Sequence, residues 1–232
     1  MELALSITRP YHKEGVYYHG ANKFLLLAAL AVDRCEDNEF SIHAHVAQIM
    51  AAVAAEAFIG EFSFVLSTLQ IMEKGPDLAR IGAILEQLEV SRVQVTEKFS
   101  IASQLLPGVT FDPGHQPFQS FSHLIKLRNF LAHPKVVSKP PGWFSYFVSN
   151  ALVTQKPDAE FILPDWTAQL QNKKCASWAC RAAARIILDI IARLQEPCDA
   201  HNVPGIYQSL QASWEWAKID QRIWTGQSLD SI

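Results

Sequence analysis

The chain has 232 residues, of which 49% are hydrophobic and 19% are charged. This length and apolar content suit one well-buried domain, with or without appendages, and the sequence has no low-complexity tract typical of disorder. A formal net charge of −3 and a pI near 6.2 exclude a global electrostatic attraction to nucleic acid. Any RNA binding would therefore need a local basic surface.

The cysteines and the first residues bear on the cellular compartment. The four cysteines have the spacing of neither a metal site nor a redox motif, so we expect buried thiols in a reducing environment. They are Cys35, Cys175, Cys180 and Cys198. Residues 1–20 lack the charged start followed by an apolar core that marks a signal peptide. We therefore expect a cytoplasmic protein.

Helical periodicity predicts an all-α chain whose first helix runs from residue 23 to about residue 35. Asn22 is expected to cap its N-terminus. The stretch FLLLAALAV within it is hydrophobic nearly all round. A helix of that kind is expected to be buried.

A long second helix is predicted from Ser41, its cap, to about residue 72. A membrane span needs about 20 apolar residues, and Gln48 and Glu56 argue against one, so we expect no membrane partner. Glu56 is the only formal charge in residues 41–60. Because an isolated carboxylate in an apolar stripe is costly, Glu56 either pairs with a cation or reaches solvent at the helix edge.

A third helix is predicted from residue 78 to about residue 106, with Asp77 as its cap and Pro107 and Gly108 as its stop. Its outer side is expected to be a solvated face of mixed charge. The charged residues on that side are Arg80, Glu86, Glu89, Arg92, Glu97 and Lys98.

Residues 117–134 form the most informative helix. Arg128 projects into its apolar arc, between Phe121 and Leu124, where a permanent cation must pair, lie in a cleft or extend to water. Glu56 is a candidate partner for it. Asn129 and His133 share the opposite, polar arc at the i,i+4 spacing at which side chains meet.

A simpler interpretation of the same residues stays open. Lys126, Arg128 and His133 all lie in the last turns before Pro134. Cations there are favoured by the helix dipole, and proline commonly ends a helix. The pattern alone is compatible with a helix end as well as with a functional site.

Prolines punctuate residues 135–164, which we interpret as an insertion beside the motif. The segments WFSYFV and EFIL are predicted to form short strands, in the manner of a hairpin. Their aromatic residues either stack on bases or seal a small core. Those of the first segment are Trp143, Phe144, Tyr146 and Phe147.

A last long helix is predicted from Asp165, its cap, to about residue 196. It carries a basic stripe with one aromatic residue, which is either a contact surface for a phosphate backbone or a solvated helix face. The stripe is Lys174, Trp178, Arg181 and Arg185.

Residues 198–232 are expected to add a turn at Pro204 and Gly205 and a short helix with two tryptophans.

The segment LIKLRNFLAHP, residues 124–134, resembles the signature of the HEPN superfamily of helical domains, which includes prokaryotic toxins and eukaryotic RNA-processing nucleases. That signature is an arginine followed by a polar residue and, after four to six intervening positions, a histidine. Here Arg128, Asn129 and His133 match it. The segment AAEAFIGEF, residues 54–62, also resembles the family, and the resemblance spans residues 41–197.

The resemblance implies a bundle of four or five helices, with a core of residues 41–134 and 165–197. It also implies a homodimer in which two motifs face one cleft and cleave RNA without a metal or cofactor. Residues 1–40 and 198–232 would be extensions. The sequence itself contains no glycine-rich phosphate loop, HExxH or GxSxG motif.

The implied chemistry suits the three motif residues. His133 would act as general base or acid, Arg128 would stabilise the charged transition state, and Asn129 would orient the imidazole ring or hold a phosphate oxygen. Arg128 and His133 diverge by about 140° on an ideal helix, so a single phosphate would reach both most easily if the helix end unwinds at Pro134 or if two subunits pool their groups. The expected product carries a 2′,3′-cyclic phosphate.

The alternative is a non-catalytic scaffold that binds RNA or protein. The solvent exposure of Arg128 and His133 distinguishes the scaffold from the nuclease, because catalysis needs both side chains open to a shared cleft. A protein antitoxin or another regulatory protein is an expected partner. Some family toxins carry a tyrosine two residues after the histidine, and Lys135 stands there in this chain, so control through modification of that tyrosine is not expected.

Overall fold

Helices account for all regular structure in residues 20–36, 40–71, 75–108, 110–133, 140–153, 166–220 and 223, the part of the chain that the computed structural model describes. The all-α class is therefore confirmed. In chain order the helices are α1 (Ala21–Asp33), α2 (Ile42–Ile71), α3 (Pro76–Val90), α4 (Val95–Leu105), α5 (Phe118–Ala132), α6 (Phe144–Ser149), a 3-10 helix (Trp166–Leu170), α7 (Lys173–Arg193), α8 (Gln195–Ala200), α9 (Pro204–Trp214) and α10 (Trp216–Ile219).

Helix α2 lies at the centre and packs against α1, α3, α4, α5 and α7. Six alanines on it are buried and let its neighbours approach closely: Ala44, Ala47, Ala51, Ala52, Ala54 and Ala55. The predicted cap is confirmed, since the His43 backbone N–H donates to Ser41 Oγ at 3.2 Å. Gln48 is fully buried and donates from Nε2 to the Leu170 carbonyl at 2.8 Å.

The stretch Ile42–Leu69 of α2 is long and apolar enough to cross a membrane by length and composition. The central helix of a helical bundle meets the same criterion. More than half of its most apolar window (56%) is buried inside this molecule. The composition of α2 is thus accounted for by the helices that surround it.

Helix α1 differs from its prediction in two respects. Asn22 does not cap it; its amide donates to the Ser213 carbonyl at 3.3 Å, whereas Glu61 Oε1 accepts the Ala21 N–H at 2.9 Å. The helix is also not buried all round, because only one side faces α2 and α7. Three large residues on the other side are exposed: Leu26, Leu27 and Leu30.

The predicted third helix is two helices, α3 and α4, separated by residues 91–94. Arg92 lies in the left-handed region there, with a φ of 55°. β-branched valines on both sides of the break lower the local helix propensity. Asp77 is not the cap; Gly75, with a φ of 54°, precedes Pro76, the first helical residue.

Helix α5 has the predicted apolar arc, in which Phe121, Leu124, Ile125 and Leu127 are buried. It ends at His133, whose N–H donates to the Asn129 carbonyl at 3.1 Å.

The predicted WFSYFV strand is wrong, because most of that segment forms α6. Its aromatic spacing fits a helical face as well as an alternating strand, and packing decides between them. Phe144 and Phe147 are buried, with ring centroids 5.0 Å from Trp166 and 5.0 Å from Trp178, respectively. The core interpretation is therefore confirmed for these two rings. The EFIL segment, residues 160–163, lies outside the described residues.

The last long helix, α7, begins seven residues later than predicted. Asn172 caps it, accepting the Cys175 N–H at 2.8 Å, after the separate 3-10 helix. Asp165 lies outside the described residues.

All four cysteines are buried and free, as predicted. At the C-terminal end Pro204 starts α9, and the Trp214 ring packs edge-on against Phe58 of α2 at 5.8 Å.

Candidate active site

Arg128 of α5 forms an ion pair with Glu56 of α2, through Nη2 and Oε1. The pairing predicted from the two isolated charges is confirmed. The Arg128 side chain is 20% exposed and that of Glu56 is 39% exposed, so the carboxylate is the more solvated member. Burial lowers the pKa of Arg128 from its ordinary value, but an arginine remains charged at neutral pH. Its Nε is buried and has no hydrogen-bond partner among the described groups.

A second ion pair joins Lys98 of α4 to Glu89 of α3. The Lys98 side chain is only 9% exposed, whereas that of Glu89 is 59% exposed. The prediction of a solvated face is therefore wrong at Lys98. It lies on the buried face of α4 together with Val95, Phe99 and Ala102.

The break at residues 91–94 makes this second pair geometrically accessible. In one continuous helix Glu89 and Lys98 would lie on opposite faces and about 13.5 Å apart along the axis. With the break, α4 changes direction and its buried cation meets the end of α3. Sequence reasoning missed Lys98 for this reason. The spacing of Val95, Lys98, Phe99 and Ala102 is the signal that could have found it.

Both ion pairs line one groove of about 410 Å³. Two carboxylates and two cations make its charged lining formally neutral. The lining residues are Glu56, Ile59, Glu89, Val93, Gln94, Val95, Lys98, Ile125, Arg128 and Asn129. Helices α2, α3, α4 and α5 and the 91–94 turn thus bring ionic and amide groups together around one opening.

The three motif residues occupy two places. Arg128 and Asn129 line the groove, whereas His133 is exposed at the end of α5 and is not among the residues that line the groove. Lys126 and Asn129 are also exposed. Neither Arg128 nor His133 is sealed from solvent, but one chain does not present both to the same opening. Lys135 lies outside the described residues.

The predicted basic stripe on α7 is not one exposed surface. Lys174 is exposed and Arg185 is half-buried, but Trp178 and Arg181 are each only 6% exposed. Burial, followed by repulsion from Arg185, lowers the pKa of Arg181. Neither a phosphate-contact stripe nor a solvated face describes the two buried residues, because α5 and α6 pack over this side of α7.

Tyr146 links α5, α6 and α7 on that side. Its hydroxyl lies 2.8 Å from Ser120 Oγ and accepts the Trp178 Nε1–H at 3.4 Å. The His123 ring stacks on the Tyr146 ring, with centroids 3.9 Å apart and planes 14° apart. Burial lowers the pKa of His123. This cluster was not predicted, and it fixes the orientation of α5 against α7.

Within the described ranges no group of three or more histidine, cysteine, aspartate or glutamate residues is placed to hold a metal ion. Comparison with protein-family models, with curated proteins and with solved structures gives no match to this chain.

Proposed function

We propose that the protein is a HEPN-like, metal-independent endoribonuclease that acts as a homodimer. The observation that carries this proposal is the position of Arg128. It is a permanent cation that lies at the wall of a groove open to solvent, with the exposed Asn129 beside it and the exposed His133 at the end of the same helix. The bundle that holds these residues is compatible with the resemblance.

The proposed reaction uses the ribose 2′-hydroxyl as nucleophile. His133 of one subunit accepts its proton, and the 2′-oxygen forms a bond to phosphorus. The bond from phosphorus to the 5′-oxygen then breaks, and that oxygen takes a proton from the protonated histidine of the other subunit. The products are a 2′,3′-cyclic phosphate and a 5′-hydroxyl. Arg128 donates to the non-bridging oxygens as their negative charge grows.

The placement of the groups supports dimerisation as part of this proposal. Arg128 opens into the groove while His133 lies at the helix end, so a second motif helix facing the first supplies the missing group at each site. The C-terminal half of α5 leaves Lys126, Asn129, Ala132 and His133 exposed. This face is therefore accessible to another copy of the chain.

A second candidate function is a non-catalytic scaffold that binds RNA or protein through the same face. The observation that favours it is the pairing of both groove cations. Glu56 neutralises Arg128 and Glu89 neutralises Lys98. Paired in this way, the two cations would only hold the helices of the bundle together and would take no part in catalysis.

Cleavage of a panel of single-stranded RNAs in EDTA tests the proposal. The wild-type protein, His133→Ala and Arg128→Ala are compared with two matched controls on exposed residues outside the groove, His115→Ala and Arg80→Ala. We expect cyclic-phosphate ends from the wild type and both controls, and none from the two motif variants. Equal activity in all five proteins would indicate a contaminating nuclease. Activity in none would favour the scaffold.

A further inference from the structure

The two ion pairs in the groove share an asymmetry. In each pair the cation is the less exposed member and the carboxylate is the more solvated one: Lys98 against Glu89, and Arg128 against Glu56. A solvated carboxylate can rotate away into water at little cost. The less exposed cation cannot do so as freely, and another negative group is favoured beside it whenever its carboxylate leaves.

The groove offers more donors than its two carboxylates use. Arg128 Nε is buried and has no hydrogen-bond partner among the described groups. The side chains of Gln94 and Asn129 line the same opening and are exposed, and each amide adds two N–H donors. Lys98 and Arg128 stand on α4 and α5, which pack against each other. An anion in the groove would thus meet cations and amide donors from α4, α5 and the 91–94 turn.

We propose that this groove binds the phosphate backbone of single-stranded RNA, with Glu56 and Glu89 as displaceable counterions. A phosphate enters between Lys98 and Arg128, and the two carboxylates turn out to solvent. This inference rests on the proposed function for the choice of RNA as ligand. It adds Lys98 as a phosphate-binding residue and gives Glu56 a regulatory role, since Glu56 competes with substrate for Arg128.

The competition between the glutamates and RNA determines whether each mutation strengthens or weakens RNA binding. Replacing either glutamate by glutamine removes a resident competitor and keeps the side-chain shape, so RNA binding tightens. Replacing Lys98 by methionine removes one phosphate contact and keeps most of the apolar stem. Glu97→Gln is the matched control, because it makes the same charge change on an exposed residue of α4 that does not line the groove.

The test measures binding of a fluorescent 2′-O-methyl oligonucleotide, which cannot be cleaved through the 2′-oxygen, by anisotropy over a range of salt concentrations. Glu56→Gln and Glu89→Gln are each expected to tighten binding about fivefold, the factor that corresponds to release of a partly exposed ion pair. Lys98→Met is expected to lower the slope of log K against log salt by about 0.7. Glu97→Gln should bind like the wild type.

Circular dichroism and thermal unfolding establish that each variant is folded. Because Glu56 and Glu89 lie on different helices, one glutamine variant still tests the inference if the other fails to fold. If both folded glutamine variants bind no more tightly than Glu97→Gln, the inference is overturned. Displacement of the oligonucleotide by equimolar inorganic phosphate would overturn RNA as the ligand in favour of a small phosphate. Tighter binding without cleavage by any protein would uphold the groove and refute the nuclease.

Discussion

Gly82 of α3 lies against the backbone of α2 and provides a sharp test of how closely the two helices pack. A Cβ at position 82 would lie 2.3 Å from Ser67 N and 2.8 Å from the Ser63 carbonyl oxygen. The closer contact falls about 1 Å short of ordinary van der Waals distance, and backbone atoms cannot rotate away. The Ser63 hydroxyl also donates to the Gly82 carbonyl at 3.2 Å. Helix α3 must therefore move to accept any side chain there.

Gly82→Ala is accordingly expected to destabilise the fold. Overpacking costs about 3 kcal/mol at the upper end of its usual range, and the better helix propensity of alanine returns about 1 kcal/mol. The net loss of about 2 kcal/mol corresponds to a fall in Tm of about 6 °C for a chain of this size.

Urea unfolding followed by circular dichroism measures the free energy of unfolding, and Gly60→Ala provides the matched control. Gly60 lies within α2, and a Cβ there would meet nothing within 4 Å. That variant is expected to gain about 0.5 to 1 kcal/mol. If Gly82→Ala were as stable as Gly60→Ala, the close packing of α2 and α3 would be refuted.

Three further predictions concern titration, ion pairing and thiol reactivity. Burial depresses the pKa of His123, so the unfolded chain binds a proton at this residue more readily than the folded chain. The free energy of unfolding should therefore be highest above about pH 6.5 and fall below it. His123→Gln should make that fall smaller in urea titrations. A double-mutant cycle of Arg128→Met and Glu56→Gln should give a coupling energy of up to about 1 kcal/mol that weakens at high salt, since the pair is partly exposed; zero coupling at low salt would contradict the pair. Burial raises the pKa of Cys198 to about 11 and raises that of Cys175 as well, so a thiol reagent at about pH 8 should label neither until the protein unfolds; rapid labelling of native protein would be inconsistent with their burial.

The charges inside apolar stretches were the part of the site that could be predicted from sequence. Arg128 and Glu56 each stand alone in an apolar arc, and the energetic cost of an unpaired buried charge leaves few arrangements other than a pair. Lys98 obeys the same rule, but the sequence predicts one continuous helix here, and in such a helix Lys98 lies on the solvated face. The error in the helix boundary was therefore also an error in the site.

The helix boundaries could not be predicted from the neighbouring residues alone. Residues 91–94 contain neither proline nor glycine, and the left-handed Arg92 is held by the packing of α3 and α4 on their neighbours. At α6 the same aromatic residues satisfy helical and strand spacings, and contact with Trp166 and Trp178 decides the outcome. In both cases residues far away in sequence supply the deciding interactions.

The central position of α2 has a consequence for the order of folding. Its contacts with α1 and α3 join helices that follow one another in sequence, whereas the Gln48 bond to Leu170 closes a loop of 122 residues. Short loops close at a smaller entropic cost, so we expect α1, α2 and α3 to associate first and α7 to dock later. Helix α5, which packs against both α2 and α7, then gains its final support. Arg128 would reach Glu56 only after α1, α2 and α3 have associated, and a chain synthesised only as far as α4 would not yet carry the groove.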